Sequence, residues 1–250
     1  MRSTFLVDLT EVGDGVLAVR GRDVNWTILR DGASFTLVDA GYPQYSAAVR
    51  ASIRRAGLDL AGLEAVVVTH AHIDHIGGVP ALLADVDAPV YVGASELPMA
   101  VGDRVESAAP LDVAKRLWKP RMVPWSLRIT AAGGVRHVRV AGAIGVPDGA
   151  TLDIPGRPMV VLTPGHTSGH ICLRAGTALL TGDALITGHA ISGRKGPQLA
   201  ADFFHTDPGQ AVAALDRIAA VEASAIVPGH GPVWRGAPSD AAAIARGTAA

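Results

Sequence analysis

The chain has 250 residues, of which 49% are hydrophobic and 4% aromatic, and its formal net charge is −1. This length allows one domain with a substantial core, so we expect a single domain over residues 1–250. The balanced charge argues against nucleic acid and anionic membranes as partners, and the few aromatic residues argue against base stacking. Cys172 is the only cysteine, so nothing indicates an oxidising compartment.

The N-terminus "MRSTFLVDLTEVGDG" has no apolar stretch of signal-peptide length. No later segment reaches the roughly 18 apolar residues that a membrane span requires. We therefore expect a cytoplasmic protein without a membrane partner.

The first part of the chain alternates short strands with helices. "GVLAVR" and "NWTILR" are rich in strand formers, and "FTLVDAG" is an apolar run closed by a turn signal. Residues 44–56 have apolar side chains on one face and arginine on the other, which predicts a helix. "LEAVVVTH" is a continuous β-branched run, typical of a strand that is buried on both faces.

A short helix at "GGVPALLADV" and a strand at "APVYVG" follow, and the pattern then changes over residues 94–150. This stretch contains Met99, Trp118, Met122 and Trp125 among several prolines, which indicates helices and irregular loops. We expect it to form a lid or an insertion. Within it, His137 lies in "VRHVRV", whose alternation predicts a strand with a surface or structural histidine.

Strands return in "RPMVVLTPGH", "HICLRAG" and "TALLTGD". A helix is expected over 208–221 with Asp207 as its N-cap, followed by a strand in "ASAIVPGHG" and a terminal helix from Ser239. Two sheets with helices outside them would satisfy this pattern, and a doubly wound sheet would satisfy it as well.

Four potential metal ligands lie within six positions of "VVVTHAHIDHIGGV", namely His70, His72, Asp74 and His75. A lone histidine on an apolar background is usually structural, but four such residues directly after a buried strand favour metal binding. Imidazole and carboxylate are common zinc ligands. Because Asp74 and His75 are adjacent and point differently, two ions can use this loop if other segments complete their coordination.

Three later segments have the same form, an apolar run followed by a sharp turn and one ligand. "VVLTPGHTSGH" presents His166, "ALLTGD" presents Asp183 and "AIVPGHG" presents His230. Rigid scaffolds often present catalytic groups at strand ends, so the three segments are candidates to complete the metal site.

In this order, "THAHIDH", "PGHTSGH", "LLTGDA" and "VPGHG" resemble the motifs of the metallo-β-lactamase superfamily of metal-dependent hydrolases, and "LVDAG" resembles its first motif. The resemblance implies an α+β fold, a four-layer αβ/βα sandwich of two mixed β-sheets flanked by helices. It implies that one metal is bound by His70, His72 and His166, that the other is bound by Asp74, His75 and His230, and that Asp183 bridges them.

Two divalent metal ions are therefore expected, zinc first, with iron or manganese as alternatives. A hydroxide between them would attack an ester-type bond, a thioester or a lactone, in a small molecule. Glyoxalase II-like thioesterases and lactonases have the most similar pattern. Asp74 is also a candidate general acid or base.

Asp39 is expected to accept the free N–H of a metal-bound histidine. The alternative is an aspartate that serves only the "DAG" turn. His170 is expected to be a buried, hydrogen-bonded support, and Cys172 a small buried residue.

Trp118, Trp125, His189 and His205 are candidate substrate contacts. Residues 94–150 are the expected specificity element, and their tryptophans and methionines would line a pocket or a homodimer contact. A helical satellite packed on the sheet is an equally simple interpretation. Arg194 and Lys195 could meet an anionic group, although a solvated charge pair is more common.

Two functions of other classes stay open beside hydrolysis of an ester-type bond or of a β-lactam. One is an oxidoreductase that resembles persulfide dioxygenases and uses a single iron. The other is a non-catalytic binding protein, against which the complete ligand set argues. Metal content distinguishes the first, because one iron per chain would favour it.

Overall fold

The computed structural model describes residues 6–247. The strands are β1 (Leu6–Gly13), β2 (Val16–Gly21), β3 (Trp26–Asp31), β4 (Ser34–Val38), β5 (Leu63–Val68), β6 (Val90–Gly93), β7 (Ala143–Val146), β8 (Met159–Leu162), β9 (Ile171–Ala175), β10 (Ala178–Gly182), β11 (Ile186–Gly188), β12 (Lys195–Gln198), β13 (Ala225–Pro228) and β14 (Trp234–Arg235). The α-helices are α1 (Ser46–Arg55), α2 (Ile73–Ile76), α3 (Val79–Leu83), α4 (Leu97–Ala100), α5 (Pro110–Ala114), α6 (Met122–Ala131), α7 (Pro208–Ala219) and α8 (Pro238–Arg246).

Two mixed sheets form the centre of the protein. The first has the order β1-β2-β3-β4-β5-β6-β7, antiparallel as far as β4 and parallel from β4 onward. The second has the order β14-β13-β10-β9-β8, with β10 and β13 parallel. Strands β11 and β12 form a separate hairpin.

Alternate side chains along each central strand pack on opposite faces of its sheet. In β5, Val66 and Val68 belong to the core that contains helix α1, while Val67 faces the core between the sheets. In β10, Leu180 joins the inter-sheet core and Leu179 packs with residues of α7 and α8. The layers are therefore helices, sheet, sheet and helices, and the predicted four-layer αβ/βα sandwich is confirmed.

Most helix predictions agree with the structure. Residues 44–56 contain α1, and Asp207 caps α7 by accepting the backbone N–H of Gln210 at 2.9 Å. The strand predicted in "VRHVRV" is wrong, because residues 137–140 have no strand partner and Val140 instead donates its N–H to the Ala100 carbonyl. The alternating pattern of this segment reflects the packing of Val138 and Val140 on the hydrophobic core, and it does not reflect strand pairing.

The end of segment 94–150 is part of the sandwich, because β7 pairs with β6 in the first sheet. Helices α4, α5 and α6 occupy the part before it. No helix among residues 6–247 is both long and apolar enough to cross a bilayer. The first five residues of the N-terminal stretch considered for a leader lie outside the described residues.

Candidate metal centre

Three histidines from two loops converge on one point. His70 and His72 follow β5, and His166 lies in the loop after β8. The Nδ1 atom of His72 is 3.1 Å from Nε2 of His70 and 3.0 Å from Nε2 of His166. We call these residues the three-histidine cluster.

The outer ring nitrogen of each histidine in this cluster has a hydrogen-bond partner. Nδ1 of His70 lies 3.1 Å from the Thr69 hydroxyl, and Nε2 of His72 donates to the Glu106 carbonyl at 2.6 Å. Nδ1 of His166 lies 3.3 Å from Nδ1 of His205. With protons on these outer nitrogens, the three inner nitrogens present lone pairs to one another.

A second group consists of Asp74, His75 and His230, which we call the mixed cluster. The short helix α2 presents Asp74 and His75, and His230 follows β13. The Asp74 carboxylate lies 3.4 Å from Nε2 of His230 and 3.9 Å from Nε2 of His75. The outer Nδ1 atoms of the two histidines donate to the Asp39 carboxylate at 2.8 Å and to the Asp23 carbonyl at 2.6 Å.

Asp183 lies between the two clusters at the end of β10. Its carboxylate oxygens are 3.6 Å from Nε2 of His166, 3.2 Å from Nε2 of His230 and 3.5 Å from Nε2 of His75. The carboxylate therefore has neighbours in both clusters. The side chain is 7% exposed, so this charge is held almost entirely away from water.

The donor set fits divalent cations. Three groups of ligand atoms lie within 4.8 Å of one another, one in each cluster and one formed by His70, His75 and Asp183. Nε2 of His75 and Oδ1 of Asp183 are buried and have no hydrogen-bond partner, although buried polar atoms normally have one. The facing lone pairs of the three-histidine cluster and the unpaired Oδ1 atom of Asp183 are what a bound cation would satisfy.

Electrostatics distinguish the two clusters. Burial lowers the pKa of His70 and of His166 well below the ordinary range, and neighbouring histidines lower it further. Burial also opposes charge on His75 and His230, but nearby carboxylates outweigh it. They raise the pKa of His75 well above the ordinary range and that of His230 to about 10.

The carboxylates have the opposite shift. Burial raises the pKa of Asp74, but His75 and His230 together lower it to about 2. Burial likewise raises the pKa of Asp183, and the same two histidines bring it well below its ordinary value. Both carboxylates are therefore ionised and available as ligands at neutral pH.

Asp39 lies behind the mixed cluster. One of its oxygens accepts from Nδ1 of His75 and from the Thr69 hydroxyl, and the other accepts the Thr69 N–H at 2.8 Å. Its φ of 60° is in the left-handed region, which aspartate tolerates better than most residues. These contacts fix the ring of His75 and the start of the ligand loop, beyond what a turn alone requires.

His170 supports Asp183 from behind. Its Nε2 atom accepts the backbone N–H of Asp183 at 3.0 Å, and its Nδ1 lies 2.9 Å from the Thr163 hydroxyl. Burial lowers the pKa of His170 to about 3, so the ring is neutral and can accept this hydrogen bond. Cys172 is fully buried nearby, and burial raises the pKa of its thiol to about 12.

Glu96 is a buried carboxylate that joins the two loops of the three-histidine cluster. It accepts the backbone N–H of Ala71 at 2.7 Å, the Thr167 hydroxyl at 2.8 Å and the Gly169 N–H at 3.0 Å. The sequence patterns did not predict Glu96, nor Asp23 and Glu106, whose backbone carbonyls orient His230 and His72. A carbonyl acceptor has no signature in the sequence, and the Glu96 contact depends on tertiary folding.

Two glycines allow the close approach of the ligand loops. A Cβ atom at Gly229 would lie 2.2 Å from Oδ1 of Asp183, and one at Gly182 would lie 2.8 Å from Nε2 of His170. Gly182 also has a φ of +47°, which disfavours larger residues. Both positions therefore need glycine for Asp183 to reach the point between the clusters.

The candidate substrate contacts divide into three groups. His189 lies beside the mixed cluster, with its ring 4.8 Å from that of His230, and Trp125 packs against His189 with ring centroids 5.8 Å apart. Trp118 is 78% exposed, and its ring neighbour is the Lys119 ammonium. Its predicted place among substrate contacts is therefore not supported by any contact with the clusters among the described residues.

His205 contacts a ligand candidate of the three-histidine cluster. Its Nε2 donates to the Ala200 carbonyl at 3.1 Å, and its Nδ1 faces His166, so both ring nitrogens are engaged. It lies behind the three-histidine cluster and orients a ligand candidate, and these contacts do not support the predicted substrate contact, which stays a prediction. The sequence places His205 on the segment after Asp183, but it does not show whether the ring faces the substrate or lies behind the metal ligands.

The two mixed sheets, the outer helices and the histidines and carboxylates at one edge define a metal-binding protein of the αβ/βα sandwich class. The chain belongs to the metallo-beta-lactamase superfamily, whose family model matches residues 19–230.

Two curated relatives are similar to the chain over most of its length. It is 29% identical over 209 residues to the probable metallo-hydrolase YflN of Bacillus subtilis, covering 79% of this chain and 75% of YflN. It is 33% identical over 183 residues to the hydroxyacylglutathione hydrolase of Alkalilimnicola ehrlichii, covering 73% of this chain and 52% of the relative. The chain thus spans about half the length of that hydrolase.

Solved metallo-β-lactamases share the fold. The structure of SMB-1 bound to 2-mercaptoethanesulfonate superposes with a TM-score of 0.68 at 16% identity, covering 98% of this chain and 95% of SMB-1. The HARLDQ-motif metallo-β-lactamase of Cronobacter sakazakii superposes with a TM-score of 0.65 at 20% identity, covering 91% and 80%. At these identities the likeness establishes the architecture alone.

Proposed function

We propose that this protein is a dinuclear metal-dependent hydrolase that cleaves an ester-type bond, a thioester or a lactone, in a small molecule. The observation that supports it most strongly is the carboxylate of Asp183, which has histidine neighbours in both clusters. One ion in each cluster would have this carboxylate as a shared ligand, and paired metal ions are a recurring feature of hydrolytic sites.

The assignment of ligands follows the two clusters. His70, His72 and His166 would hold one ion, Asp74, His75 and His230 would hold the other, and Asp183 would bridge them. When bound, divalent ions such as zinc lower the pKa of water toward 7 and polarise a carbonyl group. Iron or manganese can occupy similar sites of imidazole and carboxylate.

The chain itself orients these groups. The Thr69 hydroxyl, the Glu106 carbonyl and His205 keep the inner nitrogens of the three-histidine cluster free of protons. Asp39 and the Asp23 carbonyl accept from the outer nitrogens of His75 and His230 and so direct the inner nitrogens of the mixed cluster. Such outer hydrogen bonds fix the tautomer and the direction of a ligand ring.

Asp74 is the residue we propose for proton transfer. Its side chain is 16% exposed, compared with 5% for Asp39 and 7% for Asp183, so it is the most accessible carboxylate of the three. A carboxylate at the edge of the site can accept a proton from the attacking water and deliver it to the leaving group.

The choice of a thioester is supported by the hydroxyacylglutathione hydrolases among the relatives, since their named substrate is a thioester. The wall of the mixed cluster adds to it, because Trp125, His189 and Phe204 contact one another there and offer an aromatic surface. An acyl or aromatic portion of a substrate would pack on this surface.

The test is a hydrolysis panel of thioesters, lactones, β-lactams and phosphodiesters, with metal content measured on the same preparation. We expect turnover of a thioester or a lactone and its loss in His72→Ala, while the exposed His137→Ala variant serves as the matched control. Turnover and metal content that are unchanged in His72→Ala would contradict the proposal. One iron per chain with oxygen uptake would instead favour a persulfide dioxygenase-like reaction.

A further inference from the structure

The exposed apolar side chains of this protein are concentrated in one region. Of nine large hydrophobic residues exposed among those described, seven lie between Val105 and Val135. We call residues 105–136 the cap. On α6, Met122 and Trp125 are buried, whereas Val123 and Leu127 are exposed on the opposite face. The cap therefore presents several apolar side chains that no described residue covers, and those of α6 share its outer face.

The same region is positively charged. Its carboxylates are neutralised within the structure, since Glu106 pairs with Arg104 and Asp112 with Arg116. Four cations, Lys115, Lys119, Arg121 and Arg136, have no carboxylate partner among the described residues. The formal net charge of the whole chain, −1, conceals this local excess.

The densest part of this surface is the sequence "KRLWKPR", Lys115–Arg121. Two of the three lysines in the chain flank Trp118 there. Trp118 is 78% exposed, and the Lys119 ammonium lies 5.7 Å from the centre of its ring. An exposed tryptophan between cations combines apolar area with attraction to negative charge.

We propose that the cap docks the protein on an anionic lipid surface, with Leu117 and Trp118 inserted among the headgroups and Lys115 and Lys119 against the lipid charges. Charge complementarity identifies this occupant. An isologous contact between two copies would bring the unpaired cations of both caps together, which disfavours a dimer through this face. Lysine is depleted at protein interfaces but effective at anionic bilayers.

The cap also lies next to the metal centre. The Glu106 carbonyl bonds to His72, and Trp125 of the buried face packs against His189. Docking would therefore hold the metal centre close to the bilayer, where lipophilic substrates concentrate. The proposal does not depend on which bond the enzyme cleaves.

The test is flotation of the full chain with vesicles of phosphatidylcholine alone or mixed with phosphatidylglycerol. We expect binding only to the anionic vesicles and its loss as salt concentration rises. Lys115→Gln with Lys119→Gln should weaken partitioning by roughly thirtyfold, about fivefold per lysine. Arg54→Gln with Arg55→Gln, an exposed pair on α1, removes the same charge elsewhere and should leave binding unchanged.

The apolar contribution is tested by Trp118→Ala, which should weaken partitioning roughly tenfold or more. Ile244→Ala is its matched control, because Ile244 is 47% exposed on α8. The absence of vesicle binding, equal binding to neutral vesicles, or unchanged binding of the lysine variant would overturn the proposal. So would a concentration-dependent dimer in sedimentation that Trp118→Ala abolishes, or preferential binding of single-stranded RNA. Hydrolysis of a soluble substrate, measured in parallel, reports separately on the proposed function.

Discussion

The three-histidine cluster and the mixed cluster share Asp183 but prepare for a cation in different ways. In the three-histidine cluster, burial keeps His70 and His166 neutral. The lone pairs of their inner nitrogens therefore face the ring of His72 without a positive charge on either residue. In the second, Asp74 and Asp183 are ionised, and their charge raises the pKa of His75 and His230. Protons can thus occupy part of the mixed cluster in place of a metal, whereas they are excluded from the three-histidine cluster.

The variant with the largest expected effect is Asp183→Asn, because it affects both clusters. The amide keeps the shape but loses the charge that faces His166 and His230. We expect metal affinity and turnover to fall by more than a hundredfold, since even residues that only orient ligands cost about 10–100-fold. Metal analysis and steady-state kinetics measure this, and Asp240→Asn on the exposed part of α8 is the control. Retention of two tightly bound ions would show that Asp183 is not shared.

The pH dependence of metal binding should separate the clusters. The pKa of His230 is raised to about 10 and that of His75 is also raised, so both hold a proton at neutral pH without metal. An ion that enters the mixed cluster must displace these protons. The affinity of the cluster for the ion should therefore increase about tenfold per pH unit for each proton displaced, and for the proton of His230 this increase should continue up to about pH 10. His70 and His166 have lowered pKa values and release none.

Calorimetry in buffers of different ionisation enthalpy counts the protons released by each equivalent of metal. We expect a larger release for the mixed cluster than for the three-histidine cluster. Equal release from the two equivalents would mean that the electrostatic difference between the clusters is absent in solution.

Replacing Glu96 should weaken the three-histidine cluster selectively. In Glu96→Gln, an amide group would meet the N–H of Gly169 or Ala71 in place of one acceptor oxygen. The loops of His72 and His166 would lose their common support, and we expect metal affinity at this cluster to fall about 10–100-fold. Competition with a chelator measures it, with the exposed Glu222→Gln as control. Equal weakening of both clusters would indicate a general loss of stability instead.

The smallest effect is expected from His205, which touches one ligand candidate. His205→Leu removes the acceptor for Nδ1 of His166 and should cost about tenfold in affinity, whereas His205→Asn retains an acceptor and should cost less. The ratio of the two affinities is the informative quantity. If leucine and asparagine behave alike, the hydrogen bond to His166 contributes nothing to the cluster.

Local patterns predicted the central strands and the converging residues, whereas the choice of two sheets over a doubly wound sheet depended on the resemblance of the motifs to a known family. Apolar runs identified β5, β10 and β13, and the side chains directly after them, such as His70, Asp183 and His230, meet at one edge of the sandwich. The spacing of His70, His72, Asp74 and His75 was informative because strand and turn geometry fix where the side chains emerge.

The outer partners could not be predicted in the same way. Asp23 and His230 are 207 positions apart, and the contact uses a backbone carbonyl that any residue possesses. Glu96 acts through contacts that exist only after β6 and the loop of His166 have packed. The outer face of the cap was also missed, because charge was counted over the whole chain and not over its surface.

The proposed function depends on two ions, one in each cluster, that share Asp183. Native mass spectrometry of the metal-free protein titrated with zinc tests it most directly, together with the double variant His75→Ala and His230→Ala. We expect two zinc ions on the unmodified chain and one on the variant. A single ion on both proteins, or two ions on both, would contradict it.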